Sequence, residues 1–173
     1  MKRLFIAISL LAVLAGGGAW WWARQSIPLL DGEWRLSGLS GPVEVLHDGY
    51  GVPHVYARDT GDAWFVAGAL HARDRFWQME LYRRAAHGRL SEVLGEATLA
   101  LDRRMLTLGI RAAAAAEFTR LGPSARTALS RYAEGVNAAA ATLQGRQRPL
   151  EFQLLGITPA PWTPEDSLAI GRL

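Results

Sequence analysis

The chain has 173 residues, 50% of them hydrophobic and 20% charged, which suffices for one domain with a packed core and excludes a wholly disordered chain. Its net charge of +3 comes from arginines spread along the chain beside Asp and Glu, and with no basic stripe of stacking or base-reading side chains nucleic acid is excluded as a partner. Cysteine is absent, so there is neither a disulfide framework nor a thiolate metal site.

Lys2 and Arg3 precede an apolar run from Leu4 to Ala23, closed by Arg24. Such a run is a signal peptide or an N-terminal membrane anchor, and residues 1–30 are assigned to it. It is close to the ~20 residues that cross a bilayer and exceeds the ~7–15 apolar residues of a cleaved signal, which favours the anchor. Trp20, Trp21 and Trp22 fall where indole rings prefer the interface, and Lys2 and Arg3 keep the N-terminus in the cytoplasm. The body, residues 31–173, is then expected in the periplasm or at the cell exterior, held on the inner membrane by residues 4–23. Ala15, Gly16, Gly17, Gly18 and Ala19 also offer small residues to a signal peptidase.

The stretch from Gln25 to Pro42, with Pro28, Gly32, Gly38 and Gly41, reads as a linker or irregular lead-in, with a domain boundary near Asp31. Val43 to His47 alternates like a strand, Asp48-Gly49-Tyr50-Gly51 supplies a turn, and Val52 to Ala57 is β-branched and aromatic, so a hairpin is expected. Gly49 and Gly51 are candidates for positive φ, Pro53 suits an edge or irregular position, and His54 reads as a hydrogen-bonded core or packing histidine.

A long helix is predicted from Asp59 or Thr60, either able to cap it, to near Gly88. Phe65, Ala69, Ala72, Phe76, Met79 and Arg83 share one face of it at three-four spacing, which is the core face. Glu80 and Arg84 stand four apart on one side. An exposed pair of this kind contributes only about 0.2–0.5 kcal/mol, so the cluster matters only if it is buried and paired with the rest of the fold. Ser91 to Gly95 reads as a short helix start, Leu99 to Leu108 carries Asp102-Arg103-Arg104, and Arg111 to Arg120 holds five consecutive alanines of high helix propensity. Gly122-Pro123-Ser124 resets the chain before an amphipathic helix to Leu143, with Leu129, Tyr132, Ala133 and Val136 inward and Gly135 and Asn137 interrupting it. Gln144 to Pro149 is a polar loop. Thr163-Pro164-Glu165-Asp166 then supplies an N-cap, a first-turn proline and two first-turn acids ahead of Leu168-Ala169-Ile170.

Generic catalytic signatures are silent: there is no Gly-x-Ser-x-Gly elbow, no phosphate-cradling glycine loop and no His-Glu-x-x-His helix. His71 and Asp74 stand three apart on a helix, but a metal site needs further ligands at compatible spacing. Ser91 or Ser124 with His54 or His71 and an aspartate is no more than chance composition provides.

Asp48, the run Tyr50-Gly51-Val52-Pro53-His54, then His71-Ala72-Arg73-Asp74-Arg75, Gln78-Met79-Glu80, Arg83-Arg84, Gly88 and Ser91-Glu92-Val93-Leu94-Gly95 occur in one order at one spacing. This pattern resembles the opening of the penicillin acylase family, the N-terminal-nucleophile amide hydrolases. Tyr132-Ala133-Glu134-Gly135-Val136-Asn137, Glu151 to Gly156 and Pro161-Trp162 are similar to later landmarks of that family. The resemblance implies an α+β chain, the N-terminal part of an αββα fold, mainly helical here with one β-hairpin. Its motif residues Asp48, Tyr50, Gly51, Pro53, His54, His71, Asp74, Arg75, Gln78, Glu80, Arg83, Arg84, Gly88, Glu92, Gly95 and Trp162 are expected to be structural.

The resemblance further implies that the nucleophile is a serine freed by self-cleavage at the start of a second (beta) chain, beyond Leu173, with its own α-amino group as base. The oxyanion hole, acyl-pocket residues and an acidic calcium ligand would also follow Leu173, so this chain carries no catalytic residue, metal ligand or cofactor, and calcium belongs to the complete enzyme. The expected function is that of the N-terminal portion of an exported precursor hydrolysing a linear amide between an acyl group and an amine core, such as a β-lactam side-chain amide or an acyl-homoserine lactone. Partnered with its second chain it would be an enzyme and alone inactive; the helix begun at Thr163 and barely two turns long reads as truncated. The rival is a non-catalytic, membrane-tethered helical binding or scaffold module derived from the same front half.

Overall fold

The computed structural model describes residues 2–27 and 31–173; Pro28 of the lead-in lies outside them. Helix α1 (Lys2–Arg24) is the long apolar segment, with Leu4, Phe5, Leu11, Val13 and Leu14 exposed. By length and composition its Leu4–Arg24 span is able to cross a membrane. Arg24 stacks over the Trp20 ring, 5.1 Å from its centroid.

Strands β1 (Glu44–His47) and β2 (Pro53–Tyr56) pair antiparallel in the register Val45 to Val55 and Leu46 to His54. The turn between them is built by Asp48, whose Oδ1 accepts the amides of Tyr50 and Val52, each at 2.9 Å. Those two amides hold the Asp48 carboxyl below the usual carboxylate range. Gly51 takes the positive φ of 77° and Gly49 does not. Period-2 alternation sends Val45 and Val55 inward against Phe65, Val66 and Leu70. The same alternation turns His54 outward with Leu46 and Tyr56, so His54 is an exposed side chain and not a core histidine; its Nε2 lies 3.4 Å from Asp48 Oδ2.

Helix α2 (Thr60–Ala86) starts where Asp59 Oδ1 accepts the Asp62 amide at 3.1 Å. The face carrying Phe65, Ala69, Ala72, Phe76, Met79 and Arg83 is buried as its spacing requires. The helix is not one rod: Arg75, at φ −140° and ψ 22°, breaks it into two helical halves, and its guanidinium Nη1 donates to the Asp74 carbonyl at 3.1 Å. His87 closes α2 and Gly88 turns the chain at φ 65°. A Cβ on Gly88 would lie 2.7 Å from the Asp102 carbonyl, so only glycine lets the turn approach the next helix.

Beyond it lie α3 (Ser91–Leu94), a 3₁₀ turn (Glu96–Thr98), α4 (Leu99–Leu108) and α5 (Ile110–Arg120). Buried Asp102 of α4 satisfies the free amides at the start of α3, accepting from Leu90 N at 2.8 Å and Ser91 N at 2.7 Å. Burial raises its carboxyl, and the hydrogen bonds from Ser91 and Leu90 outweigh that and hold it low. Helix α6 (Pro123–Thr142) is followed by a 3₁₀ turn, α7 (Leu150–Leu155) and α8 (Pro164–Ile170). Phe152 of α7 meets Phe76 and Trp77, with ring centroids 5.2 Å apart in both pairs.

Gly135 and Asn137 do not interrupt α6, which runs unbroken through both. Ala133 and Val136 are buried in the core, while Leu129 and Tyr132 are half-buried. At Gly135 and Gly68 the two long helices touch backbone to backbone: a Cβ on Gly135 would sit 1.8 Å from the Phe65 carbonyl oxygen, and one on Gly68 2.1 Å from that of Tyr132. The lead-in is fastened near this crossing. Ser40 donates Oγ at 2.5 Å and N at 3.1 Å to Asp62 Oδ2, and Arg131 Nη2 donates at 2.8 Å to both Asp62 Oδ1 and the Gly38 carbonyl. The Ser40 hydroxyl above all keeps buried Asp62 below the ordinary carboxylate range.

Gly135→Ala is expected to destabilise the fold by about 1–3 kcal/mol in urea unfolding through overpacking, although alanine alone would favour the helix. An unchanged or raised midpoint would contradict the backbone contact. Acid is expected to act through Asp62 and Asp102. Their folded-state values are depressed, so their contribution is complete above the unfolded value of about 3.9 and is lost as pH falls below it through the folded values. Melting temperatures measured from pH 5 downward should fall less steeply in Asp62→Asn than in the parent.

Candidate functional site

The second half of α2 carries Glu80, Arg83 and Arg84, and His87 follows at its end. Glu80 is 2% exposed and Arg83 6%. A carboxylate so deeply placed must be paired, and Glu80 binds the Arg83 guanidinium through Oε2 and Arg84 Nε through Oε1 at 2.7 Å. Arg84 passes the network outward to Glu92 at 2.7 Å, where Arg89 closes a two-pronged pair at 2.7 and 2.9 Å. The hydrogen bond from Arg89 is the main cause that lowers the Glu92 carboxyl.

Arg83 also carries the network to the end of the chain. Its Nη1 donates to the carbonyls of Ala160 at 3.0 Å and Pro161 at 3.2 Å and approaches Asp166 Oδ2 at 3.4 Å. Its guanidinium lies 5.2 Å from the Trp162 ring centroid, where the ring quadrupole attracts a cation. Trp162 is then locked on every polar atom. Its amide donates to Asn137 Oδ1 at 2.7 Å, its carbonyl accepts from Asn137 Nδ2 at 2.8 Å, and Nε1 donates to Ser167 Oγ at 3.0 Å. Asp166 reaches back to the Thr163 amide at 2.9 Å, completing a capping box at the start of α8. His87 Nε2 lies 3.2 Å from its other oxygen.

Trp162 forms one wall of a groove of about 820 Å³ whose lining, including Met79, Tyr82, Tyr132, Ser167 and Ile170, is almost wholly apolar. At its edge Tyr132 Oη lies 2.8 Å from His71 Nδ1. Burial pushes the Tyr132 phenol up to about 12, so it stays protonated at neutral pH. Such a groove suits an apolar occupant and supplies no activated nucleophile: Ser167 Oγ accepts from Trp162, and Tyr132 is a phenol. Among the described residues no hydrogen bond joins Ser91 or Ser124 to His54 or His71: His54 faces Asp48, His71 faces Tyr132, the Ser91 amide faces Asp102, and Ser124 lines the groove. The buried carboxylates do not fit a calcium site either: Glu80, Asp62, Asp102 and Asp166 give their oxygens to arginines and N–H groups, and no metal-holding cluster of three occurs among the described residues.

The motif residues therefore sort by place. Asp48, Tyr50, Gly51, Pro53 and His54 form the hairpin turn, with Tyr50 at 96% exposure. His71, Asp74, Arg75 and Gln78 lie on the open side of α2, where Arg73 Nε holds Asp74 at 2.7 Å and Gln78 Nε2 reaches Tyr82 at 3.3 Å. Gly88 and Gly95 make positive-φ turns. Glu80, Arg83, Arg84, Glu92 and Trp162 converge in one network. Asn137, His87 and Asp166 join them: in the sequence Asn137 ends a family landmark and reads as a helix breaker, Asp166 reads as a local cap, and His87 is not singled out.

The family model described as Penicillin amidase matches residues 42–173. The chain is 42% identical over 147 residues to the penicillin acylase 2 proenzyme of Pseudomonas sp. (strain SE83), covering 85% of this chain and 19% of that protein. It is 33% identical over 148 residues to the acyl-homoserine lactone acylase QuiP of Pseudomonas aeruginosa, covering 86% and 17%. A solved thermostable penicillin G acylase from Alcaligenes faecalis superposes with a TM-score of 0.64 at 30% identity, over 75% of this chain and 69% of that one. The chain thus spans about a fifth of the length of these curated relatives.

Glu80→Gln, which leaves buried Arg83 and half-buried Arg84 short of their shared counter-ion, is expected to cost about 3–5 kcal/mol in urea unfolding. Glu92→Gln, at the exposed end, should cost about 1 kcal/mol or less. Equal losses would show that burial is not what gives the network its weight.

Proposed function

The chain belongs to the penicillin amidase family, and we propose that it is the N-terminal part of an exported precursor that hydrolyses a linear amide between an acyl group and an amine core. The observation that carries this reading is a finished interior beside an unfinished surface. The ion network is internally paired, yet the chain keeps an open apolar groove of about 820 Å³ with no activated nucleophile beside it among the described residues. A layer built to support a site would have this form. Leu46 and Tyr56, exposed at 51% and 58% on the outer face of a two-stranded sheet, fit the same role within an αββα arrangement.

In the proposed reaction a serine hydroxyl at the start of the second chain adds to the amide carbonyl, and the serine's own α-amino group takes its proton. The C–N bond breaks as that proton passes to the departing amine, and water then hydrolyses the acyl ester. The residues described above act in the first stage only as support, with Arg83 and Asn137 holding Trp162 and α8 in place. Any calcium site is assigned, like the nucleophile, to the remainder of the precursor. Helix α1 is the proposed inner-membrane anchor, with the body outside the cytoplasm.

The test is to express the complete reading frame and analyse it by mass spectrometry and activity. Two polypeptides are expected, the second beginning with serine, together with release of amine from an N-acyl aminoarene or of homoserine lactone from its acyl derivative. Residues 1–173 alone should release neither, and α1 should hold the protein in the membrane fraction. A single unprocessed, inactive polypeptide would overturn the reading in favour of the tethered scaffold.

A further inference from the structure

Helix α8 is seven residues long, too short to persist without tertiary contacts. Its apolar attachment consists of Ala169 packed against Ala86 of α2 and Ala114 of α5, with Leu168 and Ile110 beside them, and of Ile170 against the cluster that holds Trp162. An ion pair between Arg172 and Glu117 at 2.6 Å lies at an exposed edge and adds little. The polar ties are the bond of Trp162 Nε1 to Ser167 and, more deeply buried, the contacts of Asp166 with Arg83 and His87.

We propose that His87 and Asp166 form an acid-released latch that holds α8 against α2 and α5. The imidazole is 12% exposed and its Nε2 lies 3.2 Å from Asp166 Oδ1, so a neutral ring with its proton on Nε2 makes this bond without carrying charge. Three cations surround the ring: Arg83 from α2, Arg89 from the turn after it, and Arg111 from α5. Asp166 of α8 is the carboxylate that faces it, and that group already serves Arg83. Glu80 is committed to Arg83 and Arg84, and Asp102 of α4 to the Leu90 and Ser91 amides. A proton on His87 adds a fourth positive charge in a place little water reaches.

Burial first, then the charges of Arg111, Arg83 and Arg89, outweigh the pull of Asp166 and depress the imidazole below its ordinary value of 6.5. The sign follows. A detached α8 frees His87 to take up a proton near 6.5, whereas the closed state resists it, so closure is strongest above 6.5 and weakens as pH falls toward the folded-state value. Release would displace Ser167 and Ile170, and with them the partner of Trp162 Nε1 and one wall of the groove. This inference stands on the packing around α8 and does not depend on the enzymatic reading.

A histidine-labelled chain of residues 1–173 gives four imidazole signals, one per histidine, whose titration by NMR reads His87 directly. In parallel, hydrogen exchange of residues 164–170, corrected for the intrinsic pH effect, reads the closure of α8. The expected result is a His87 titration below 6.5 and protection of α8 that falls about tenfold per pH unit below 6.5 until His87 itself protonates. His87→Gln, which keeps a neutral donor, should hold its protection across the same range. A His87 signal titrating at or above 6.5 in the parent overturns the latch, even if the variant fails to fold. So does an equal loss of protection in a folded His87→Gln chain.

Discussion

Everything in this fold depends on two carbonyl oxygens of one helix pair resting where side chains would otherwise be. The Phe65 and Tyr132 carbonyls press against the bare α-carbons of Gly135 and Gly68, so α2 and α6 cross without an intervening layer of side chains. That closeness fixes what can fill the flanks. Small residues, Ala69, Ala72, Ala133 and Ala139, line the seam, and the large ones, Phe76, Met79, Phe152 and Trp162, stand beside it. Pushing the helices apart would separate Asn137 from Trp162 and Arg131 from Asp62, since each bond joins α6 to chain packed on α2.

The buried ion network is built on that platform. Isolated, a carboxylate as enclosed as Glu80 would be strongly disfavoured, and its two arginines offset that cost only because their other hydrogen bonds are also met. Arg83 meets them with the carbonyls of Ala160 and Pro161, which is why the last segment lies where it does. The network adds specificity of arrangement more than stability: it sets one position for Trp162 and one direction for α8. Asp102 does the same on a smaller scale, holding α3 by its first amides.

A scaffold closed inside and open on one face fits the proposed role as one part of a larger precursor. The polar groups near the groove are quiet ones, a phenol held protonated by burial and a serine hydroxyl engaged by an indole. Positioning is the contribution such an arrangement can make. In the proposed acyl transfer, a rigid support of this kind would serve by holding the reacting centre in position.

What the sequence by itself determined is local and periodic. The hairpin is legible in its alternation and in the Asp-Gly-Tyr-Gly turn, α2 in its three-four spacing after Asp59, and α8 in its Thr-Pro-Glu-Asp start, because each depends on neighbours a few residues away. The burial of Glu80 with Arg83 and Arg84 was legible as a condition, since exposed charges at that spacing would be worth little. Tertiary structure alone decided the rest. Gly135 and Asn137 read as interruptions until Phe65 and Trp162 appear opposite them. His54 reads as a packing residue until the strand's face is known, and Arg75 as one more helical position until the kink is seen. Asp62 and Arg131 stand 69 residues apart, and Arg83 and Asp166 83 apart. No local preference encodes such pairings, because their free energy exists only once two distant segments have excluded the water between them.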